Sequence, residues 1–160
     1  MPARMSPAQR DRFLGGRHVA VLVTNGADGH AVPTPIWYLY RAGTFYFRTE
    51  HGAIKTQNIL RDPKVSVCVQ DERAPYKAVI AYGNAEVQKK LDWLAAIPRH
   101  YLGFVGAIGY NRTAQHEIEH GPEVALILRP QRFTTFDFAG ATPLAGRLWL
   151  LAKRVLPPWL

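Results

Sequence analysis

The chain has 160 residues, of which 48% are hydrophobic, and a formal net charge of +8. This size and composition predict one globular domain with a substantial core, and they argue against a disordered chain or several domains. The basic residues are scattered, with no helix-turn-helix, zinc-finger or RNP-like pattern among them. We therefore expect no nucleic-acid binding and favour a small anionic partner.

The single cysteine, Cys68, lies in the apolar run V-S-V-C-V. We expect it to be a small buried residue, and a lone cysteine forms no intrachain disulfide. No apolar run approaches the roughly 18 residues of a membrane span, and the first residues lack the apolar segment of a signal peptide. A cytoplasmic protein is expected.

The first half of the chain predicts a helix over Pro7 to Leu14, capped by Ser6, and then a hairpin meander. Its strands are rich in β-branched and aromatic residues and are separated by glycine turns: His18 to Thr24, Ala31 to Tyr40 and Thr44 to Thr49. Pro33 and Pro35 lack the amide hydrogen that a sheet ladder needs, so they should bend the second strand and expose an edge.

The two faces of this second strand have different predicted roles. Pro35, Trp37 and Leu39 fall on one face, which can line a flat site, while Thr34, Ile36 and Tyr38 fall on the other. Aromatic residues in strands more often pack in a core or a dimer interface, and we expect this of Tyr38, Phe45 and Phe47.

The segment from Gly43 to Pro63 predicts a strand, a turn at Glu50 to Gly52 and a helix over Ala53 to Leu60. Arg48 and Thr49 approach the helix start from the strand, and Lys55 and Asn58 share a helix face at i, i+3. A helix N-terminus attracts anions, so the residues could form a phosphate pocket. The alternative is that the two cations are solvated charges and that Asn58 only caps a turn.

The second half of the chain predicts more strands with a helical region between them. The strands are Val65 to Gln70, Lys77 to Gln88 with a bulge at Gly83, and a closing hairpin of Val124 to Leu128 and Arg132 to Phe138 across residues 129–131. The helical region runs from Lys89 to about Arg99. Six or seven mostly antiparallel strands with inserted helices indicate a closed barrel.

Five segments, in order, carry a family resemblance: P-T-P-I-W-Y, F-Y-F-R-T, G-A-I-K-T-Q-N-I-L-R-D-P-K-V-S-V, V-I-A-Y-G-N-A-E-V and R-H-Y-L-G. The chain resembles the flavin and deazaflavin oxidoreductases of the pyridoxamine-phosphate-oxidase-like split barrel over residues 10 to 138. It is most similar to the branch of probable F420-dependent enzymes. The resemblance implies a mainly β, antiparallel split barrel over residues 1–142 that forms a homodimer with two cofactor sites at the subunit interface.

The resemblance also implies cofactor-binding residues. The strand with Pro35 and Trp37 would lie along the tricyclic ring. The cofactor phosphate would be held by Arg48, Thr49 and Lys55 with Asn58 bracing the turn, and Tyr76 and Lys77 would lie near the mouth of a site, which could belong to the other subunit. Relatives often carry an Arg just before the lysine, where this chain has Ala53-Ile54, so His51 would have to supply that contact.

The expected cofactor is coenzyme F420, with FMN as the alternative. F420 carries a phosphodiester and an oligoglutamate tail, so a charge of +8 favours it over FMN with its single phosphate. Its chemistry is hydride transfer to an electron-poor small-molecule substrate. No catalytic residue is identified, although His100 and Tyr101 could protonate a reduced substrate. A non-catalytic cofactor or tetrapyrrole binder is the alternative from another class.

Two further segments carry expectations. His116 and His120 are spaced i, i+4, but a solvated helix end is the better interpretation, and no metal site is expected. Residues 143–160 are apolar and basic, and on a helix Leu144, Leu148, Leu151 and Val155 would form a stripe. This tail could pack across the dimer, close over the cofactor or contact an anionic membrane surface, of which we favour packing.

Overall fold

The computed structural model describes residues 3–73, 75–89, 95–114 and 121–139. The helices in this part of the chain are α1 (Pro7–Leu14), α2 (Ile54–Arg61) and α3 (Ala96–Ala114). The strands are β1 (Ala20–Asn25), β2 (Ala31–Ile36), β3 (Tyr38–Arg41), β4 (Thr44–Glu50), β5 (Lys64–Asp71), β6 (Lys77–Lys89) and β7 (Glu123–Asp137). The predicted mainly β fold with inserted helices is confirmed.

The seven strands form one antiparallel sheet in the order β2-β1-β5-β6-β7-β4-β3. Its two edge strands are neighbours in sequence, because only Trp37 separates the end of β2 at Ile36 from the start of β3 at Tyr38. One residue spans only about 3.5 Å. The sheet must therefore curl until its edges meet at Trp37, which gives the predicted split barrel.

The prediction of one strand from Ala31 to Tyr40 was wrong, because the chain changes partners at Trp37. β2 pairs with β1, whereas β3 pairs with β4 on the other edge of the sheet. The first strands are therefore not a simple meander. Pro33 and Pro35 do lie in an edge strand, opposite Val23 and Val21, so the prediction that they expose an edge is confirmed.

The predicted closing hairpin was also wrong, since β7 passes through residues 129–131 without turning back. It pairs with β6 along its whole length and with β4 as far as Leu128. A register shift between Tyr82 and Gly83 lets the strand pass Pro130, which confirms the predicted bulge. A Cβ on Gly83 would lie 2.9 Å from the Arg129 carbonyl oxygen, so glycine is required there.

The helix starts are partly as predicted. Ser6 and Gln9 form a capping box at α1, with Ser6 N–H donating to Gln9 Oε1 at 2.8 Å and Gln9 N–H to Ser6 Oγ at 3.3 Å. The helical region predicted over Lys89 to Arg99 was misplaced. Residue 89 still belongs to β6, and α3 begins at Ala96 and continues well past Arg99, with a break at Gly103 where φ is 71°.

The core fills the curled sheet. Tyr38, Phe45 and Phe47 are at most 1% exposed, which confirms that they pack inside. Leu14 of α1 and Ile59 of α2 join this cluster. A second, smaller cluster lies on the outer face of β3, β4 and β7, where Ile97, Ala125 and Ile127 pack with Trp37, Leu39, Tyr46 and Tyr101. β7 is thus buried on both faces from Val124 to Leu128.

Several expectations fall outside the described residues. His116 and His120 lie there, and so does the tail from Pro143 to Leu160, so neither prediction is tested. Among the described residues, no set of His, Cys, Asp and Glu side chains is arranged to hold a metal ion. In the same part of the chain, every helix is too short or too polar to cross a membrane.

Candidate functional site

A cationic notch lies where β4 runs into α2. Lys55 Nζ donates to Thr49 Oγ1 at 3.3 Å, and both side chains are half-buried. Burial lowers the pKa of the Lys55 ammonium, and the nearby Glu50 carboxylate opposes that effect. A partly desolvated ammonium beside a hydroxyl is a good donor set for an anion, because less water has to be displaced when the anion binds.

The start of α2 adds to the positive potential of this notch. Ala53 is the N-cap and provides no side-chain cap, and no acidic residue lies in the first turn. Thr56 Oγ1 donates to the Glu50 carbonyl at 2.7 Å, and Thr56 N–H donates to the Ala53 carbonyl at 2.8 Å. The turn is therefore fixed by its own contacts, and the helix dipole points its positive end at the Lys55 side of the notch.

Asn58 has a structural role in the described contacts. Its side chain is 5% exposed, its Nδ2 donates to Thr24 Oγ1 at 3.0 Å, and its Oδ1 accepts from Arg61 Nη2 at 3.2 Å. Thr24 is fully buried on β1. Asn58 therefore ties α2 to the sheet beneath the notch, while the predicted bracing of the turn is not among these contacts. Direct contact with a cofactor stays a prediction.

Arg48 lies on the other face of β4 from Thr49. Successive strand residues point to opposite faces, and Thr49 shares its face with the buried Phe47. The Arg48 guanidinium pairs with the Glu123 carboxylate of β7, and their side chains are only 12% and 14% exposed. The structure thus brings Lys55 and Thr49 together and holds Arg48 in an ion pair with Glu123.

The predicted ring-binding residues lie on the edge strand β2 and at the split that directly follows it. Pro35 is exposed on the edge strand β2. Trp37, at the split, is half-buried, and its ring stacks on Tyr101 with 5.0 Å between centroids and 7° between planes. Tyr110 approaches the same ring at 5.4 Å. One face of Trp37 is therefore covered by α3, and its contribution to a ring site would come from the backbone or the remaining surface.

Tyr76 and Lys77 lie far from the notch within one protomer. Tyr76 is 57% exposed, and Lys77 Nζ pairs with Asp137 Oδ2 at 3.2 Å. Lys77 is opposite Asp137 in the sheet, while Thr49 is opposite Val124 at the other end of β7. These two positions are thirteen residues apart along β7. The two residues could reach a site at the notch only from a second subunit.

The two predicted proton donors are occupied by backbone contacts. The Tyr101 hydroxyl donates to the His18 carbonyl at 2.7 Å and accepts from Tyr38 N–H at 3.2 Å, and burial raises its pKa. His100 Nε2 lies 3.3 Å from the Gly16 carbonyl oxygen. Tyr101 thus fastens α3 to the split between the edge strands. This role of Tyr101 was not predicted from the sequence, because its hydrogen-bond partners lie more than 60 residues away along the chain.

The fold defines a split-barrel protein, and the notch is its candidate anion site. The family model for pyridoxamine 5'-phosphate oxidase matches residues 6–136, and the chain belongs to that family. No curated protein matches the chain in sequence.

Solved structures with low sequence identity share the fold. A conserved hypothetical protein from Mycobacterium tuberculosis is 22% identical, with a TM-score of 0.71 over 87% of this chain and 89% of its own. An F420 reductase is 19% identical, with a TM-score of 0.56 over 78% of this chain and 94% of its own. An FAD-binding protein from Mesorhizobium loti is 20% identical, with a TM-score of 0.61 over 84% and 95%. Because these identities are low, they support the fold alone.

The donors in the notch suit a phosphate group. The Lys55 ammonium and the Thr49 hydroxyl can both donate to oxygen, and the first turn of α2 holds no carboxylate. In the part of the chain that the structure describes, the Glu50 carboxylate near Lys55 is the group that would oppose an anion. By their chemistry, these donors could hold the phosphate of a flavin or a deazaflavin.

Proposed function

We propose that the protein is a cytoplasmic, homodimeric oxidoreductase that binds reduced coenzyme F420 and uses it to reduce an electron-poor organic substrate. The observation that carries the proposal is the half-buried Lys55 ammonium, 3.3 Å from the Thr49 hydroxyl at the start of α2. In this proposal Lys55, Thr49 and the helix start hold the cofactor phosphate, and Asn58 keeps α2 in position. Bound F420 supplies two-electron chemistry.

The choice of F420 over FMN rests on charge. A chain with a net charge of +8 gains more from a cofactor with a phosphodiester and several carboxylates than from one with a single phosphate. The F420 reductase among the structural neighbours is consistent with this choice. The FAD-binding neighbour favours the second candidate, a flavin such as FMN.

The substrate would lie beside the exposed edge at Pro35, and Tyr76 and Lys77 of a second subunit would border the same opening. This arrangement requires the homodimer that we propose, because within one protomer Lys77 pairs with Asp137 at the far end of β7. Arg48 contributes to the cofactor only indirectly, by pairing with Glu123 and holding β4 against β7 next to Thr49.

A non-catalytic cofactor or tetrapyrrole binder is the alternative outside the enzymes. The contacts of Tyr101 and His100 favour it, since both groups are committed to backbone carbonyls and neither offers an obvious proton to a substrate. An enzyme would then have to take its proton from water or from the second subunit.

The proposal is tested by titrating cofactor-free protein with F420 and with FMN at low and high salt. We expect tight F420 binding that weakens with salt, since Coulomb attraction is screened beyond about 8 Å at physiological ionic strength. Preference for FMN would contradict the choice of cofactor. Tight binding of F420 without bleaching of the reduced form in the presence of any electron-poor acceptor would favour the binder.

A further inference from the structure

A second polar cavity lies at the other end of β7 from Lys55. Its volume is about 400 Å³, and it is lined by α1, the residues before it and Arg132 to Thr135 of β7. This volume falls in the range of about 300 to 1,000 Å³ that small-molecule sites occupy. Thr49 is opposite Val124 on β7, so the cavity at Phe133 lies nine residues further along this strand from the notch.

The cavity forms because β7 extends beyond the end of its pairing with β4. β4 pairs with β7 only as far as Leu128, so the later residues of β7 have β6 on one side alone. The N-terminal segment returns to this edge at one point, where Ala3 and Asp137 exchange two backbone hydrogen bonds of 2.9 and 3.0 Å. The backbone N–H and C=O groups of Asp137 therefore point away from β6. Because this direction repeats at every second residue of a strand, the backbone groups of Phe133 and Thr135 point the same way. Their backbone groups face the cavity edge.

Three arginines and no acidic residue line the cavity: Arg4, Arg10 and Arg132. Two of the guanidinium groups are held in place by aromatic rings. Arg10 lies 3.9 Å from the centroid of Phe133, and Arg132 lies 4.1 Å from that of Tyr82. Asp11, which pairs with Arg10 at 2.8 Å, is the one acidic group in contact with these three in the described contacts. Three cations that share one counter-ion make the cavity strongly attractive to an anion.

The remaining lining is mixed in polarity. Thr134 and Thr135 provide hydroxyls, and Thr135 Oγ1 already accepts from Met5 N–H at 2.9 Å. Met5, Pro7 and Phe133 provide an apolar wall. A wall of this kind has nothing to offer a bare inorganic ion, but it can cover the hydrocarbon part of a ligand whose charged end meets the arginines.

We propose that this cavity is a second ligand site, separate from the notch at Lys55, and that it binds a small organic phosphate monoester. The phosphate lies between Arg4 and Arg132, and the organic part lies against Met5, Pro7 and Phe133. Arg10 contributes charge while it stays on the Phe133 ring. The proposal does not depend on which cofactor the notch binds.

Calorimetric titration with phenyl phosphate tests the proposal in the wild-type protein and in the single variants Arg4→Ala and Arg132→Ala. Both side chains are exposed, so their removal leaves the core intact, and circular dichroism checks the fold. We expect saturable binding that weakens at least about tenfold in each variant, the size of one charge-assisted hydrogen bond. Inorganic phosphate should bind more weakly than phenyl phosphate.

Two matched controls make the test specific. Arg12→Ala removes the same charge from an exposed residue of α1 outside the lining, and Lys55→Ala removes the cation of the notch. Arg12→Ala should bind phenyl phosphate as the wild type does, and Lys55→Ala should keep the binding component that Arg4→Ala and Arg132→Ala weaken. Equal weakening in Arg12→Ala would mean that the effect depends only on the net charge of the protein. Loss of this binding component in Lys55→Ala would mean that the ligand binds in the notch. Either result, absence of binding, or equal affinity for inorganic phosphate would overturn the proposal.

Discussion

Asn58 on α2 and Thr24 on β1 share a buried hydrogen bond of 3.0 Å between Nδ2 and Oγ1. Neither side chain is more than 5% exposed. The bond fixes the helix on the sheet three residues after Lys55, so the position of the Lys55 ammonium depends on this contact between α2 and β1. A buried polar pair of this kind orients the site because neither partner has another place to satisfy its hydrogen bond.

Asn58→Ala should lower the free energy of unfolding by about 1 to 3 kcal/mol, because it leaves the Thr24 hydroxyl buried without its donor. Combined with Thr24→Val, the loss should be smaller than the sum of the two single losses. Chemical denaturation of the four proteins measures this coupling. The exposed Gln57→Ala is the control and should change stability by less than about 0.5 kcal/mol. Additive losses would contradict the structural role of the pair.

Arg48→Ala should destabilise the protein by about 3 kcal/mol, since the nearly buried Glu123 carboxylate would lose the guanidinium that pairs with it. The double variant Arg48→Met with Glu123→Leu should recover much of this loss, because it removes both charges and keeps apolar volume. Thermal and denaturant unfolding measure both effects. A stable Arg48→Ala protein that had lost only cofactor affinity would instead make Arg48 a direct phosphate ligand.

Tyr101→Phe should lower the free energy of unfolding by about 1 to 3 kcal/mol, because the Tyr38 amide and the His18 carbonyl lose their shared partner at the split. The stacking on Trp37 should persist, since the ring remains. Once a substrate is known, kcat should stay within a few-fold of the wild-type value. A loss of kcat with unchanged stability would mean that Tyr101 is a proton donor.

Cofactor affinity should fall at high pH as Lys55 loses its proton. Burial lowers the pKa of the Lys55 ammonium in the free protein below its ordinary value. Binding of an anion requires the charged form, so affinity should be constant below this lowered pKa and fall up to tenfold per pH unit above it. In Lys55→Arg the group stays charged, and affinity should not fall in the same window. Equal pH profiles for the two proteins would contradict the role of Lys55.

The lowered pKa of Lys55 also makes the stability of the free protein depend on pH. The unfolded chain holds the Lys55 proton at pH values where the folded protein has begun to release it, so between the two pKa values the unfolded state binds more protons. The stability of the free protein should therefore rise with pH through this window. Stability should therefore rise with pH while cofactor affinity falls, so that pH titrations of both quantities distinguish the two effects.

Local signals in the sequence predict much of the fold. The capping box at Ser6, the glycine turn after Arg41 and the bulge at Gly83 each depend on a few neighbouring residues, and all three are present. At the turn, Ala42 and Gly43 have φ values of 48° and 77°, as a tight hairpin with two left-handed residues requires.

The errors come from contacts that are distant in sequence. The split at Trp37 depends on β2 and β3 having partners on opposite edges of the sheet, and no local pattern encodes that. β7 continues through Pro130 because the long strand β6 supports it from one side, so a turn signal is overridden by pairing. Strand alternation could have separated Arg48 from Thr49, but the pairing of Arg48 with Glu123 spans 75 residues.

The most direct test of the phosphate notch is the affinity for F420 of Lys55→Ala beside Lys64→Ala, which removes the same charge from an exposed residue nine positions away. We expect Lys55→Ala to weaken binding by about 1.5 to 3 kcal/mol while the fold is kept, and Lys64→Ala to have little effect. Unchanged affinity in a folded Lys55→Ala protein, or equal weakening in both variants, would contradict the assignment of the notch.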